Sequence, residues 1–183
     1  MAIAEALLTA EEFARLPDNG RPAELVRGRV VEMKVPYPRH GEICARVGYL
    51  LSNFIDDKNL GRLVSNDSAI ITTRGPDTVR GADVAFYSYA NVPKGPLRQG
   101  YLQVMPRLVI EVRSSWDRWN AILTKVAEYL NAGVTLVCVL DPDTETACVY
   151  HAERPEQIFG ADQELTFPEV LGDFRVVVRR LFE

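Results

Sequence analysis

Residues 107–140, RLVIEVRSSWDRWNAILTKVAEYLNAGVTLVCVL, decide the fold. Arg107–Arg113 is a short, mostly apolar run of the kind buried inside a sheet. From Asp117 to Asn131 the apolar residues Trp119, Ile122, Leu123, Val126 and Leu130 form one helical stripe, and Gly133 is placed to cap that helix. Val134–Leu140 is a second apolar strand, stopped by Asp141-Pro142. A crossover of this kind lays its two strands side by side and parallel.

Working outward, Ala82–Tyr87 reads as a strand, preceded by the loop Gly75-Pro76-Asp77. Strands near Arg62–Ser65 and Ala69–Thr73 surround a turn signal at Asn66-Asp67. Upstream, a helix of about four turns is predicted near Arg39 to Asp57. Its apolar stripe is Ile43, Val47, Leu50 and Phe54, and Gly61 ends it. Ala23 to Met33 reads as a β-hairpin joined at Arg27-Gly28. Thr9 and Glu12 make a capping box for a short first helix, with Leu8 and Phe13 as its hydrophobic staple. Downstream, Thr146–His151 is a hairpin partner for the second apolar strand, and Glu164–Phe167 and Arg175–Leu181 read as further strands. The fold class is α/β (α+β): a central mixed sheet with a helix on each side, preceded by a helix and hairpin.

The chain has 183 residues, which fits one domain over residues 1–183. Within it, residues 9–33 form the helix and hairpin, 38–142 the core and 145–182 the closing strands. Lys plus Arg is 21 and Asp plus Glu 25, a net charge of -4, which excludes a whole-surface polyanion binder but not a local basic groove. Cys44, Cys138 and Cys148 show no CxxC spacing and read as small buried apolar residues in a reducing cytoplasm, not as a disulfide framework or zinc cluster. No signal sequence is legible at the start, and no apolar run is long enough to span a membrane.

The phosphate-cradling GxxxxGK[ST], the GxSxG nucleophile elbow and HExxH are all absent. What remains is carboxylates at strand ends. Asp83 opens an otherwise apolar strand. Glu111 is embedded in an apolar run, where a carboxylate is costly unless paired or bound to a metal. An internal Glu111–Arg113 or Glu111–Lys125 ion pair without catalysis is one reading. Lys125, on the flank of its helix, is either a solvated lysine or one that faces Asp83 and Glu111. His40, at its helix start, either is a satisfied partly buried histidine or points into a cleft. Glu24, on the first hairpin strand, either orients a metal-bound water or pairs with an arginine.

The order of these residues resembles the Uma2 family of endonucleases, a branch of the PD-(D/E)XK restriction-endonuclease-like superfamily. The resemblance runs from Thr9 to Phe182. It is carried by Thr9-Ala10-Glu11-Glu12-Phe13, Glu24-Leu25 with Gly28, and His40 after the Pro-rich loop. It continues through Ala82-Asp83-Val84-Ala85-Phe86, Leu108–Val112 with Ser114, and Lys125 with Tyr129 and Ala132-Gly133-Val134. Asp141-Pro142 and Leu171-Gly172-Asp173-Phe174 complete it. The chain departs from the family pattern at Ala82, where proline is usual. It departs again at Arg113, where most of the superfamily has lysine, at Ala121, where an acid is common, and at Val137-Cys138-Val139, which lacks an aromatic residue.

The resemblance implies a metal-dependent endonuclease that hydrolyses phosphodiester bonds of DNA. Asp83 and Glu111 match its motif acids, and Lys125 matches a lysine displaced onto the following helix. Glu24 and His40 match accessory pocket positions. Asp83 and Glu111 are hard oxygen ligands suited to Mg2+ or Mn2+. A homodimer is a family-level expectation. A nuclease-fold interaction protein with Glu111 tied up by Arg113, and a carboxylate–metal hydrolase of small phosphoesters, are the alternative readings. Arg27, Arg29, Lys34, Arg39 and Arg46 are candidates for a DNA-facing patch, and no recognition helix or stacking-aromatic array is legible.

Overall fold

The mostly apolar stretches at 82–87, 108–112 and 136–141 become the centre of one large sheet, because strands covered on both faces are built mainly of apolar residues. The computed structural model describes residues 6–17 and 19–183. Residues 1–5, part of the stretch read above for a signal sequence, and Asp18 lie outside the described residues. In chain order the elements are helix α1 (Ala10–Phe13), strands β1 (Ala23–Val26) and β2 (Arg29–Glu32), helix α2 (Pro38–Lys58), and strands β3 (Gly61–Thr73), β4 (Thr78–Ser88) and β5 (Leu108–Val112). Helix α3 (Trp119–Asn131) follows, then strands β6 (Leu136–Asp141), β7 (Thr146–Tyr150), β8 (Gln157–Phe159) and β9 (Glu164–Thr166). Helix α4 (Pro168–Leu171), strand β10 (Arg175–Val177) and a 3-10 turn (Val178–Leu181) close the chain.

The sheet order is β2-β1-β4-β5-β6-β7-β8, with β3 also paired to β4. The crossover through α3 makes β5 and β6 parallel, as its length requires, and the other pairs are antiparallel. Alternate side chains along the strands supply two cores. Val84, Phe86, Ile110 and Val112 pack against α2 and the chain end. Ala85, Val109, Val137 and Val139 pack against α3. The two long helices therefore cover opposite faces.

Helix α2 buries Ile43, Val47, Leu51 and Ile55, each contributing about 1.5–3 kcal/mol. Leu50 and Phe54, placed in the stripe from the sequence, only flank that core. The helix ends at Asn59, a left-handed cap, and not at Gly61. Gly61 opens β3, where an added Cβ would lie 2.1 Å from the Tyr87 carbonyl oxygen. In α3 the buried residues are Ile122, Val126 and Tyr129, while Trp119 and Leu123 are exposed. Gly133, at φ 102°, closes α3 by a Schellman arrangement in which the Val134 and Gly133 N–H groups donate to Tyr129 and Leu130.

Two strand expectations change. Asn66-Asp67 is not a turn between two strands but a bulge inside one continuous β3, both residues holding positive φ. The last predicted strand stops at Val177 and winds into the 3-10 turn. The short β8 and α4 had no sequence period long enough to read. The capping box at Thr9 and the hairpin turn at Arg27-Gly28 form as expected. Among the described residues no helix is long and apolar enough to cross a membrane.

Candidate functional site

Strand β4 is served unequally on its two edges. One edge pairs with β3 along nearly its whole length. The other meets β1 at Val79 and β5 from Val84 onward. Arg80 to Asp83 therefore sit at a gap between β1 and β5. Backbone groups left open in a half-buried gap must find other partners, and carboxylates from both sides supply them. The Gly81 N–H donates to Glu24 Oε1 at 3.0 Å. The Val112 N–H donates to Asp83 Oδ2 at 2.7 Å. Asp83 and Glu111 lie one register step beyond the Val84–Ile110 pair, so the acids that close the two strands are neighbours.

Glu111 is only 8% exposed. Its Oε2 accepts from Lys125 Nζ at 2.9 Å and its Oε1 from the Tyr129 hydroxyl at 2.9 Å. Burial, more than the charge of Asp83, pushes its carboxyl up to about 7 against the pull of Lys125. Lys125 also lies 3.2 Å from Glu24 Oε1 and donates to the Gly81 carbonyl at 3.2 Å. Its three protons thus have three acceptors. Burial opposes its charge, but Glu111 and Glu24 outweigh that and hold the ammonium protonated.

Behind these groups, Arg80 bridges Glu24 (2.7 Å) and Glu128 (2.6 Å). Glu24 accepts from Arg80 and from the Gly81 amide, so the arginine-pairing alternative is the one the geometry contains. On the α2 side, His40 Nε2 lies 3.3 Å from Asp83 Oδ2 and its Nδ1 lies 3.6 Å from Cys44 Sγ. Burial would lower the imidazole, but bonds to Asp83 and Cys44 hold it up to about 10. His40 is thus a partly buried histidine with both ring nitrogens partnered, and it also lines the cleft.

The Glu111–Arg113 pair does not form. Arg113 Nε bonds Asp141 at 2.8 Å and its terminal nitrogen pairs with Asp143. The basic patch is dispersed. Of its five candidates only Lys34 lines the cleft. Arg39 pairs with Glu42 at 2.9 Å, Arg46 donates to the Glu183 carbonyl, and Arg27 borders a separate shallow groove. Cys138 and Cys148 are buried as expected, but Cys44 is half-buried against His40.

All five expected residues, Glu24, His40, Asp83, Glu111 and Lys125, line one cleft of about 520 Å³. The Uma2 model, described as "Putative restriction endonuclease", matches residues 10–179. The chain belongs to the Uma2 family. Its fold is similar to that of a crystal structure described as "a putative nuclease belonging to DUF820 from Anabaena variabilis", with a TM-score of 0.83 at 18% identity, over 96% of this chain and 97% of that one. No curated protein matches.

The donor chemistry of this Uma2 chain fits a hard divalent cation. Asp83 and Glu111 are adjacent buried carboxylates whose mutual repulsion such an ion relieves. Among the described residues no donor occupies Asp83 Oδ1. His40, Cys44 and Asp83 also offer three donor atoms within 4.8 Å of one another. The imidazole there faces Asp83 with one nitrogen and Cys44 with the other. Those nitrogens point apart, so the trio reads as a hydrogen-bonded chain that steadies Asp83.

Sequence reasoning missed Arg80, Glu128, Asp67 and the role of Tyr129. Arg80 precedes Asp83 by three residues, while Glu128 and Tyr129 follow Lys125 by three and four, one turn along the same helix face. Asp67, in the β3 bulge, lies against Gly81 and lines the cleft. Burial and then the charge of Asp83 raise its carboxyl.

Proposed function

We propose that this Uma2 protein is a divalent-metal-dependent nuclease that hydrolyses phosphodiester bonds of DNA. The observation that carries the reading is the convergence of Asp83, Glu111 and Lys125 at the gap between β1 and β5. Asp83 and Glu111 would hold Mg2+ or Mn2+. When bound, such an ion neutralises charge on a phosphate and makes water more acidic.

The chain's own residues do the rest. Lys125, fixed by three acceptors, places a stationary positive charge beside the attacked phosphate. His40, hydrogen-bonded to Asp83 and Cys44, braces Asp83 on the α2 side. Glu24 is an anchor that keeps Lys125 and Arg80 in place. Water adds to phosphorus and gives up a proton to solvent, the ester P–O bond breaks, and the leaving oxygen takes up a proton from solvent.

Incubation of supercoiled plasmid with the protein and Mn2+ tests this. Nicking that EDTA abolishes is expected. Intact plasmid, linear duplex and single-stranded circles in both Mg2+ and Mn2+ would contradict it.

A further inference from the structure

The chain has two tryptophans, and both stand exposed on the segment that carries the cleft rim into α3. Trp116 is 47% exposed and Trp119 is 37% exposed. Tryptophan is on average a deeply buried residue, so two exposed together call for a reason. Trp116 does not stand alone. Tyr37, 55% exposed, packs against it with ring centroids 5.2 Å apart and a 41° tilt. Lys34 Nζ sits 4.6 Å from the Trp116 ring centroid. Arg113 approaches Trp119 at 5.8 Å. The two aromatic segments are far apart in sequence, which is why no array was legible there.

The place of this cluster matters as much as its exposure. Tyr37 follows Pro36, and Trp116 lies between Ser114 and Asp117. Pro36, Ser114, Asp117, Lys34 and Arg113 line the same cleft as Asp83 and Glu111. The cleft thus has carboxylates in its depth, and Tyr37, Trp116 and Lys34 belong to the segments that form its wall.

We infer that Tyr37 and Trp116 form a stacking platform for an unpaired nucleobase, so that the strand presented to Asp83 and Glu111 is single-stranded. The inference rests on the nuclease reading and narrows its substrate. Rings stack on any base face, which gives affinity without sequence preference, and Lys34, the cation beside Trp116, complements a neighbouring phosphate. A base inside intact duplex keeps both faces covered by its neighbours and cannot use the platform.

Binding of labelled oligonucleotides to the full chain, with Ca2+ to prevent turnover, tests the proposal. A single-stranded DNA, its RNA counterpart, the matching duplex and an abasic strand of equal length form the series. Single strands with bases are expected to bind at least about tenfold tighter than the abasic strand, and tighter than duplex, with quenching of tryptophan fluorescence. The DNA and RNA arms tell which sugar the cleft prefers. Trp116→Ala is expected to remove most of the base-dependent gain and Trp116→Phe to keep it, with unchanged melting temperatures showing that both remain folded. Equal binding of abasic and normal strands, or of duplex and single strand, overturns the platform. So does a Trp116→Ala variant that changes only self-association. Cleavage of the same oligonucleotides in Mn2+ keeps the two readings apart. Metal-dependent cutting with base-blind binding removes the platform alone. Base-dependent binding without any cutting keeps the platform and removes the nuclease reading. Absence of both removes both.

Discussion

Lys125 Nζ lies 2.9 Å from Glu111 Oε2, the acid buried and the lysine partly buried. A buried pair of this kind is expensive to break from one side, because the remaining charge loses its partner. Lys125→Met is therefore expected to lose cleavage and about 3–5 kcal/mol of stability. The double variant Lys125→Met with Glu111→Gln is expected to regain much of that stability and none of the activity. Thermal unfolding and plasmid nicking, measured on the same preparations, separate the two effects. A single variant as stable and as active as the parent would show that the pair does neither job.

Glu24→Gln tests the anchor. The amide keeps the shape but removes the charge that Lys125 and Arg80 share. Loss of a group behind the reacting centre costs about 10–100-fold in activity or metal affinity. The expected result is a fall of that size in cleavage with folding retained. Full activity would make Glu24 a structural residue only.

Much of this arrangement was legible in the sequence, and the reason differs by element. The strand–helix–strand unit at 107–140 was readable because its apolar periods are local and long. The identity of Asp83 and Glu111 as exceptional acids was readable because each interrupts an apolar run. Their partners were not. Lys125 meets Glu111 and Glu24 from three separate elements, and the choice of Lys125 over Arg113 depends on where Asp141 and Asp143 stand. Tyr129 lies outside the apolar stripe read for α3. It is buried because Glu111 and the Gly81 carbonyl satisfy its hydroxyl, which no periodicity reveals. The bulge at Asn66-Asp67 looked like a turn because the left-handed backbone that makes a turn also makes a bulge.

Gly81 is where that bulge presses on the site. An added Cβ would lie 2.9 Å from the Asp67 Cβ and 3.1 Å from its carbonyl oxygen, backbone that cannot swing away. The Gly81 carbonyl also accepts from Lys125. Gly81→Ala is expected to displace β4 from β3 locally, lowering both the melting temperature and cleavage. An alanine variant with parent activity would mean that the bulge yields freely.

Away from the cleft, Asp77 ties the first helix to the sheet. Its carboxylate accepts from the Ala10 N–H at 2.8 Å, the Gly75 N–H at 3.1 Å and Arg74 at 2.8 Å. The Ala10 bond leads in holding its carboxyl below the usual aspartate range. A depressed carboxyl contributes stability that is present above the unfolded value of about 3.9 and lost as pH falls through the folded value. Asp77→Ala is expected to cost about 1.5–3 kcal/mol at neutral pH, the difference from the parent shrinking steadily below about pH 4. Denaturant unfolding across that range checks it. A difference independent of pH would assign the loss to packing.

The nuclease reading requires Asp83 and Glu111 to hold one divalent cation beside Lys125. Crystals grown with Mn2+ and measured for anomalous scattering test it most directly. A manganese peak at Asp83 and Glu111 is expected in the wild-type protein and is absent in Asp83→Ala. A peak held by His40 and Cys44 without Glu111, or no peak at the gap between β1 and β5 at saturating Mn2+, would contradict it.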